Sequence, residues 1–179
     1  MRIKIMYVIS TLQKAGPTNQ LLYLLKFLDK KIFDPIIVTL SPEPSDSSYK
    51  RFKELGIKVE SLNLSRLKGI FLTEVRLNNL VNKYKPSIIQ THGLRADRVK
   101  IQYKIPKIIT LRTASPKVAR PLRIKPGFIG ISLASFLHRY HLSYVKKCGL
   151  VVVCSKSLSD DLYNLYNVKS RYIQNGVDT

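Results

Sequence analysis

The segment Ala15-Gly16-Pro17-Thr18 has the residue types of a helix start that binds a phosphate or a sugar hydroxyl. It follows an apolar run from Lys4 to Leu12, which we predict to be a buried strand. Gly16 permits a sharp turn, and Pro17 suits the first position of a helix. Free N–H groups and the positive end of the helix dipole then face the end of the strand. We expect all four residues to bind substrate; the alternative is a turn with a structural role only.

His92 and Arg95 follow a second apolar run, Ser87 to Gln90. A histidine at the end of a strand is better placed for chemistry than one within an apolar face, because open α/β sheets bind ligands at that edge. We therefore predict that His92 contacts the ligand, with packing of its ring as the alternative. Arg95 is a candidate substrate-binding residue, and the alternative is an ion pair between Arg95 and Asp97.

Arg112 and Thr113 follow a third run, Lys107 to Leu111. A guanidinium beside hydroxyl groups suits a phosphate or a polyol. The chain contains neither G-x-G-x-x-G nor G-x-x-x-x-G-K-[ST], so a dinucleotide oxidoreductase and a P-loop NTPase are not expected.

Strand and helix patterns alternate along the whole chain, and this alternation must position the candidate residues. The predicted strands are Lys4 to Leu12, Pro35 to Leu40, Ile57 to Leu62, Ser87 to Gln90, Lys107 to Leu111, Leu150 to Cys154 and Arg171 to Gln174. The predicted helices run from Pro17 to Leu28, up to Leu55-Gly56, and over Thr73 to Tyr84, Ala96 to Tyr103, Phe128 to Lys147 and Ser157 to Tyr166. We expect a doubly wound, Rossmann-like α/β domain with a mainly parallel sheet of six or seven strands and helices on both faces.

The charge of the chain is strongly positive and unevenly distributed. Its 179 residues include 31 Lys and Arg against 11 Asp and Glu, a net charge of +20. No acidic residue lies between Asp97 and Asp160. Such a charge distribution favours an anionic partner, which would be a nucleic acid, a phospholipid surface or a phosphorylated small molecule; the alternative is a solvated basic surface. A hydrophobic fraction of 45% excludes a disordered chain, and the length predicts one domain.

The two cysteines, Cys148 and Cys154, have no zinc-site spacing and flank a predicted strand. A strand of that length would separate them by ~20 Å, so we expect two free thiols in a reducing compartment. The N-terminal sequence lacks the pattern of a secretory signal, and we expect a cytoplasmic protein. We expect no bound metal or cofactor.

Four parts of the chain resemble the N-terminal half of a GT-B glycosyltransferase of family 4, a group that transfers sugar from a nucleotide sugar with retention of configuration. These parts are K-I-M-Y-V-I-S-T-L with Ala15-Gly16, K-P-S-I-I-Q-T-H-G-L-R-A-D, C-G-L-V-V-V-C-S-K-S and Y-I-Q-N-G-V-D. The family usually has two glycines at Ala15-Gly16 and a proline before N-G-V-D. It commonly has a histidine just after the fifth strand, where this sequence has Arg112.

The resemblance implies that residues 1–179 form a single acceptor-side domain. It implies a second Rossmann-like domain, outside this chain, that binds most of the nucleotide. It further implies catalytic roles for His92 and Arg112, and substrate contacts at Thr113, Asn175 and Gly176. The implied partners are a nucleotide sugar as donor and a growing glycan or a lipid-linked acceptor, and the chemistry of the family generally needs no metal. The 179 residues alone should show little or no turnover.

A basic, proline-punctuated loop predicts contact with an anionic membrane surface. Its cations are Lys117, Arg120, Arg123 and Lys125, and an apolar stretch too short to span a bilayer follows. The alternative is a solvated loop before an ordinary crossover helix. Two other functions stay open, namely one subunit of a two-polypeptide glycosyltransferase and a basic nucleic-acid-binding α/β protein. Nucleic acid is the less favoured partner, because the chain has no RNP-like or helix-turn-helix signature.

Overall fold

A parallel β-sheet forms the centre of the computed structural model, which describes residues 2–112 and 141–176. The strands are β1 (Ile3–Ile9), β2 (Phe33–Thr39), β3 (Lys58–Ser61), β4 (Ile88–His92), β5 (Lys107–Leu111), β6 (Leu150–Val153) and β7 (Arg171–Tyr172). The helices are α1 (Gly16–Phe27), α2 (Tyr49–Glu54), α3 (Arg66–Tyr84), α4 (Leu94–Asp97) and α5 (Lys156–Tyr166). Residues 141–146 are also helical, whereas Thr113, the basic loop and most of the predicted helix Phe128 to Lys147 lie outside the described residues.

The strand order is β3-β2-β1-β4-β5-β6-β7, and every neighbouring pair is parallel. The chain first proceeds from β1 toward β3 and then returns to pair β4 with the other side of β1. In a doubly wound sheet the ligand crevice lies at this reversal, beyond the carboxyl ends of the strands. The predicted Rossmann-like architecture with seven parallel strands is therefore confirmed.

Both faces of the central strands are buried, because alternate residues of a strand point to opposite faces of the sheet. Met6 and Val8 of β1 pack with Leu77 and Val81 of α3 on one face. On the other face the side chains of β1 pack with α1 and α2. A third apolar cluster joins β5 and β6 to α5 and to the helical residues 141–146. Helices thus cover both faces, as the alternating pattern predicted.

Two predicted helix boundaries are wrong. Helix α3 begins at Arg66 rather than Thr73, because the Ser65 side chain accepts a hydrogen bond from the Lys68 amide and caps an earlier start. The helix predicted over Ala96 to Tyr103 is only the short α4, which ends at Asp97. Beyond it, Asn78 donates to the Lys100 carbonyl (3.2 Å) and accepts from the Gln102 amide (2.9 Å). These bonds to α3 replace the backbone bonds of a longer helix.

Other boundaries differ by a few residues. Strand β1 ends at Ile9 rather than Leu12, β4 extends to His92, and β7 has two residues. The predicted helix end at Leu55-Gly56 is confirmed, since Gly56 has a positive φ of 72° just after α2. Cys148 and Cys154 are free thiols, as predicted. Across the described ranges, no helix has both the length and the apolar content needed to cross a membrane.

Candidate active site

The strand register places the candidate residues along one edge of the sheet. Ile9 at the end of β1 pairs with His92 at the end of β4, and His92 pairs with Thr110 of β5. Arg112 directly follows β5, and Asn175 lies three residues beyond β7. Because all the strands are parallel, these residues share the edge at which the strands end, which we call the carboxyl edge. Gly16, which follows β1, lies at this edge together with His92, Arg112 and Asn175; their roles stay predictions.

Arg112 links two of the predicted positions. Its Nη1 donates to Oδ1 of Asn175 at 3.4 Å, although 63 residues separate them in the chain. Burial lowers the pKa of the Arg112 guanidinium, and the nearby Cys154 thiol opposes that shift. The Cys154 Sγ in turn contacts the Arg112 carbonyl at 3.8 Å. The carboxyl edge therefore carries a partly desolvated cation between β5 and β7, which is a suitable group for an anionic oxygen.

His92 is a buried imidazole beside that cation. It is only 3% exposed, and neither ring nitrogen has a hydrogen-bond partner among residues 2–112 and 141–176. Its ring lies 6.2 Å from the Tyr7 ring, centroid to centroid. Burial, and to a lesser extent the positive charge of Arg112, lowers the pKa of His92 to about 3. The imidazole is thus neutral at neutral pH, with one donor and one acceptor nitrogen, both buried.

The start of α1 presents backbone donors at the same edge. Ala15, Gly16 and Pro17 are exposed, and the first intrahelical bond runs from the Asn19 amide to the Ala15 carbonyl at 3.0 Å. Proline has no N–H, so the amides of Gly16 and Thr18 are the donors available in this first turn. Thr18 is 3% exposed, so its side chain lies on the buried side of α1 and does not face a ligand. Any substrate contact of Thr18 is therefore through its amide.

Arg95 holds the first turn of α3 in place. It donates to the Ser41 hydroxyl and, through Nη2, to the Leu64 carbonyl at 3.4 Å. The guanidinium lies against Gly69, where a Cβ would be 2.0 Å from Nη2. The predicted substrate contact of Arg95 is untested, but these bonds show that the residue also joins α3 to the loop after β2.

Sequence reasoning missed the hydrogen-bond network around Asp97. Its Oδ1 accepts from the Thr91 hydroxyl at 2.6 Å, and its Oδ2 lies 3.0 Å from Nε2 of His141. Lys107 donates to the Asp97 carbonyl at 2.7 Å. Asp97 is thus paired with His141 and not with Arg95, and His141 lies far along the chain and carries no local sequence signal. This network fixes the position of α4, which begins two residues after His92.

Glu43 is a second residue that the sequence analysis did not single out. Its carboxylate accepts from the Leu12 amide at 3.0 and 3.2 Å and from the Ser47 hydroxyl at 2.5 Å. Gln13 pairs with Ser47 in an isolated antiparallel bridge. The loop before α1 is therefore held by the loop after β2, which restricts where Ala15 and Gly16 lie.

A cleft of about 980 Å³ opens at the carboxyl edge. It is lined by the loops after β1, β2 and β4, by the first half of α3 and by one residue of the helical segment 141–146: Ser10, Thr11, Gln13, Ser41, Gly69, Ile70, Thr73, Glu74, Leu94, Arg95, Arg98, Val99 and Tyr144. A second cleft of about 650 Å³ lies at the opposite end of β6 and β7. We assign the candidate site to the first, because ligands of doubly wound sheets bind beyond the carboxyl ends of the strands.

In residues 2–112 and 141–176, no group of three or more His, Cys, Asp or Glu side chains is placed to hold a metal ion.

The family model described as Glycosyltransferase Family 4 matches residues 15–179. The chain belongs to this family. The comparison with curated proteins gave no significant match. Among solved structures, a glycosyltransferase from Rickettsia africae ESF-5 is 16% identical with a TM-score of 0.62, over 99% of this chain and 44% of that one. This family 4 domain therefore spans less than half of that relative.

Two further solved structures share the fold of this family 4 domain. An alpha-glucosyltransferase, solved with UDP-glucose and DNA containing an abasic site, is 13% identical with a TM-score of 0.59, over 99% of this chain and 44% of that one. A UDP-N-acetylglucosamine 2-epimerase is 16% identical with a TM-score of 0.59, over 93% and 46%. Because a transferase and an epimerase both have this architecture, the fold alone does not decide the chemistry.

Proposed function

We propose that this chain is the acceptor-side domain of a retaining glycosyltransferase that moves a sugar from a nucleotide sugar to a glycan or a lipid-linked acceptor. The reaction would serve the synthesis of cell-surface polysaccharide or glycolipid in the cytoplasm. Membership of glycosyltransferase family 4 supports the reaction class. The observation that carries the site is that His92, Arg112, Asn175 and the start of α1 all lie at one edge of the sheet.

Each group at this edge has a distinct chemical use. The Arg112 guanidinium would balance charge on the departing diphosphate, which is a main source of catalysis in such transfers. The neutral His92 would hydrogen-bond a hydroxyl of the reacting sugar or acceptor. The amides of Gly16 and Thr18 would bind phosphate or sugar oxygens. The cleft at the same edge would hold the acceptor; Arg95 lines it, whereas His92, Arg112 and Asn175 do not.

The remaining binding groups would come from a second domain or a partner subunit. This proposal is supported by the length of two solved structures with this fold, of which the chain covers 46% and 44%. Positioning both substrates is a large part of catalysis, so these 179 residues alone should not turn over. Multiple turnover by the purified chain with any nucleotide sugar would overturn this two-part arrangement.

Glycine amides give a direct test of the site, because they are readily identified in proton–nitrogen NMR spectra. Gly16, Gly93 and Gly176 lie at the carboxyl edge, whereas Gly149 lies at the opposite end of β6. Titration with UDP-glucose and GDP-mannose should shift the first three amides and leave Gly149 unchanged. Arg112→Gln should reduce those shifts, and the matched surface variant Arg51→Gln should not.

Shifts confined to Gly149, or equal shifts in both variants, would overturn the site assignment. Tight, salt-dependent binding of random oligonucleotides, without any response to nucleotide sugars, would instead favour the nucleic-acid function.

A further inference from the structure

We propose that the first half of α3 docks this domain onto an anionic membrane surface. The contact would be made by Leu67, Ile70, Phe71 and Val75, which we call the α3 apolar face. The proposal rests on the proposed function for its purpose, since it would bring the cleft to a lipid-linked acceptor. Vesicle binding is measured without nucleotide sugar or turnover. A negative result there would therefore contradict the membrane docking without contradicting the proposed glycosyl transfer.

The α3 apolar face is strongly exposed. Its four side chains are 78%, 71%, 79% and 56% exposed in the order of the sequence. Their spacing of three and four residues places them on one side of the helix. The buried side of α3 carries Gly69, Thr73 and Leu77 instead. This half of α3 therefore carries its large apolar side chains on the solvent side, where the exposed Glu74 lies among them.

A group of exposed apolar side chains such as the α3 apolar face is unusual on the surface of a soluble protein. Single exposed apolar residues are common and carry no information, but a contiguous apolar patch marks an interaction site. Helix α3 continues beyond Val75 with the exposed polar residues Arg76 and Asn79, so the patch is confined to the first half. The same half reaches the carboxyl edge, because Ile70 also lines the cleft there.

The charge of this part of the sequence favours an anionic partner. Residues 66–112, only some of which lie near the first half of α3, contain eleven Lys and Arg against two acidic residues, Glu74 and Asp97. Asp97 is buried against His141, and Glu74 accepts from the Lys100 amide at 3.4 Å. Lys68 and Lys100, both exposed, lie on α3 and on the segment bound to it. An apolar helix face within a cationic surface is the combination that binds anionic bilayers at their interface.

The α3 apolar face lies next to the cleft, so its docking on a membrane would bring the cleft close to the bilayer. Leu94, 57% exposed, and Arg95 line the cleft together with Ile70. A lipid-linked acceptor could keep its chain in the bilayer beside Ile70 while its anionic head enters the cleft. The sequence analysis predicted the membrane contact at Lys117 to Lys125, which lies outside the described residues; the structure points to α3.

The absence of tryptophan from the sequence allows a clean spectroscopic test. Phe71→Trp introduces one fluorophore on the α3 apolar face, and Phe27→Trp introduces one at a 67% exposed position of α1. With vesicles of phosphatidylglycerol and phosphatidylcholine at low salt, the emission of Phe71→Trp should shift to the blue. Phe27→Trp should not shift, and neither variant should respond to pure phosphatidylcholine. A larger shift for Phe27→Trp would overturn the proposal.

Co-sedimentation with the same vesicles measures how much the apolar side chains and the lysines each contribute to vesicle binding. Ile70→Ser with Phe71→Ser should weaken binding at least tenfold, whereas the matched pair Phe27→Ser with Ile32→Ser should not. Lys68→Gln with Lys100→Gln should weaken binding more than Lys50→Gln with Lys53→Gln on α2. Circular dichroism melting of each variant checks that the fold is retained.

Two results would overturn the proposal. One is undiminished vesicle binding by a folded Ile70→Ser, Phe71→Ser variant, especially if neutralising Lys117, Arg120, Arg123 and Lys125 abolishes it. The other is a concentration-dependent blue shift of Phe71→Trp without vesicles together with a dimer by analytical ultracentrifugation, which would assign the face to a second copy of this chain.

Discussion

The Nε2 atom of His141 lies 3.0 Å from the Oδ2 atom of Asp97, and both side chains are buried. The Thr91 hydroxyl donates to the other carboxylate oxygen. One carboxylate thus joins β4, α4 and the helical segment 141–146. A buried carboxylate is costly unless hydrogen bonds compensate it, so these three parts are held in a single arrangement.

Removing this carboxylate should destabilise the domain strongly. We expect Asp97→Ala to lower the free energy of unfolding by about 3 kcal/mol, because His141 and Thr91 lose a buried partner. Asp34→Ala is the control, since Asp34 pairs with Arg2 at 3.8 Å on the surface and should contribute less than about 1 kcal/mol. Urea unfolding measures both values, and equal losses would contradict the prediction. A double-mutant cycle with His141→Ala should show coupling between the two side chains.

Glu43 should control the order of the loop before α1. Glu43→Gln removes the charged acceptor of the Leu12 amide and weakens its bond from Ser47, at a cost of about 1–2 kcal/mol. Hydrogen exchange at the Leu12 amide should accelerate more than exchange in β2. The exposed Glu54 of α2 supplies the control Glu54→Gln, which should leave both quantities unchanged. Unaltered exchange at Leu12 in Glu43→Gln would show that the backbone bonds alone hold the loop.

His92 should make the domain sensitive to acid. Its pKa is about 3 in the folded protein against 6.5 for an ordinary histidine, so below pH 6.5 the unfolded chain binds the extra proton. The free energy of unfolding should then fall as the pH drops from 6.5 toward 3, by up to about 1.4 kcal/mol per pH unit. Urea unfolding at about pH 7 and about pH 5 measures this loss of unfolding free energy. The loss between these two pH values should be roughly 2 kcal/mol smaller in His92→Phe than in the unmodified protein. The same pH dependence in both proteins would contradict this.

The architecture was predictable from the sequence, because buried parallel strands have apolar runs that are visible locally. β1 and β2 each bury five successive residues, and the loops after the strands carry the polar candidates. The alternation of strands and helices then implied a common edge for His92 and Arg112. The positions of His92 and Arg112 relative to the ends of their predicted strands were sufficient to predict this common edge.

Contacts between distant segments were not predictable. The Asp97–His141 pair and the Glu43 contacts depend on loop conformations that no local pattern encodes. The start of α3 was missed for a different reason. Its first half has its large apolar side chains on the solvent side and contains Gly69, so the amphipathic pattern of a surface helix begins only near Thr73.

The position of β1 in the middle of the sheet has a consequence for synthesis of the protein. β1 is the first strand to leave the ribosome, yet one of its two edges stays unpaired until β4 has been made. Loop closure over such a long segment is slow, and a parallel sheet offers no local hairpin as a nucleus. The crevice edge formed by Ile9 and His92 therefore assembles only after β4 has been made, and nascent chains that end before His92 expose an aggregation-prone strand edge.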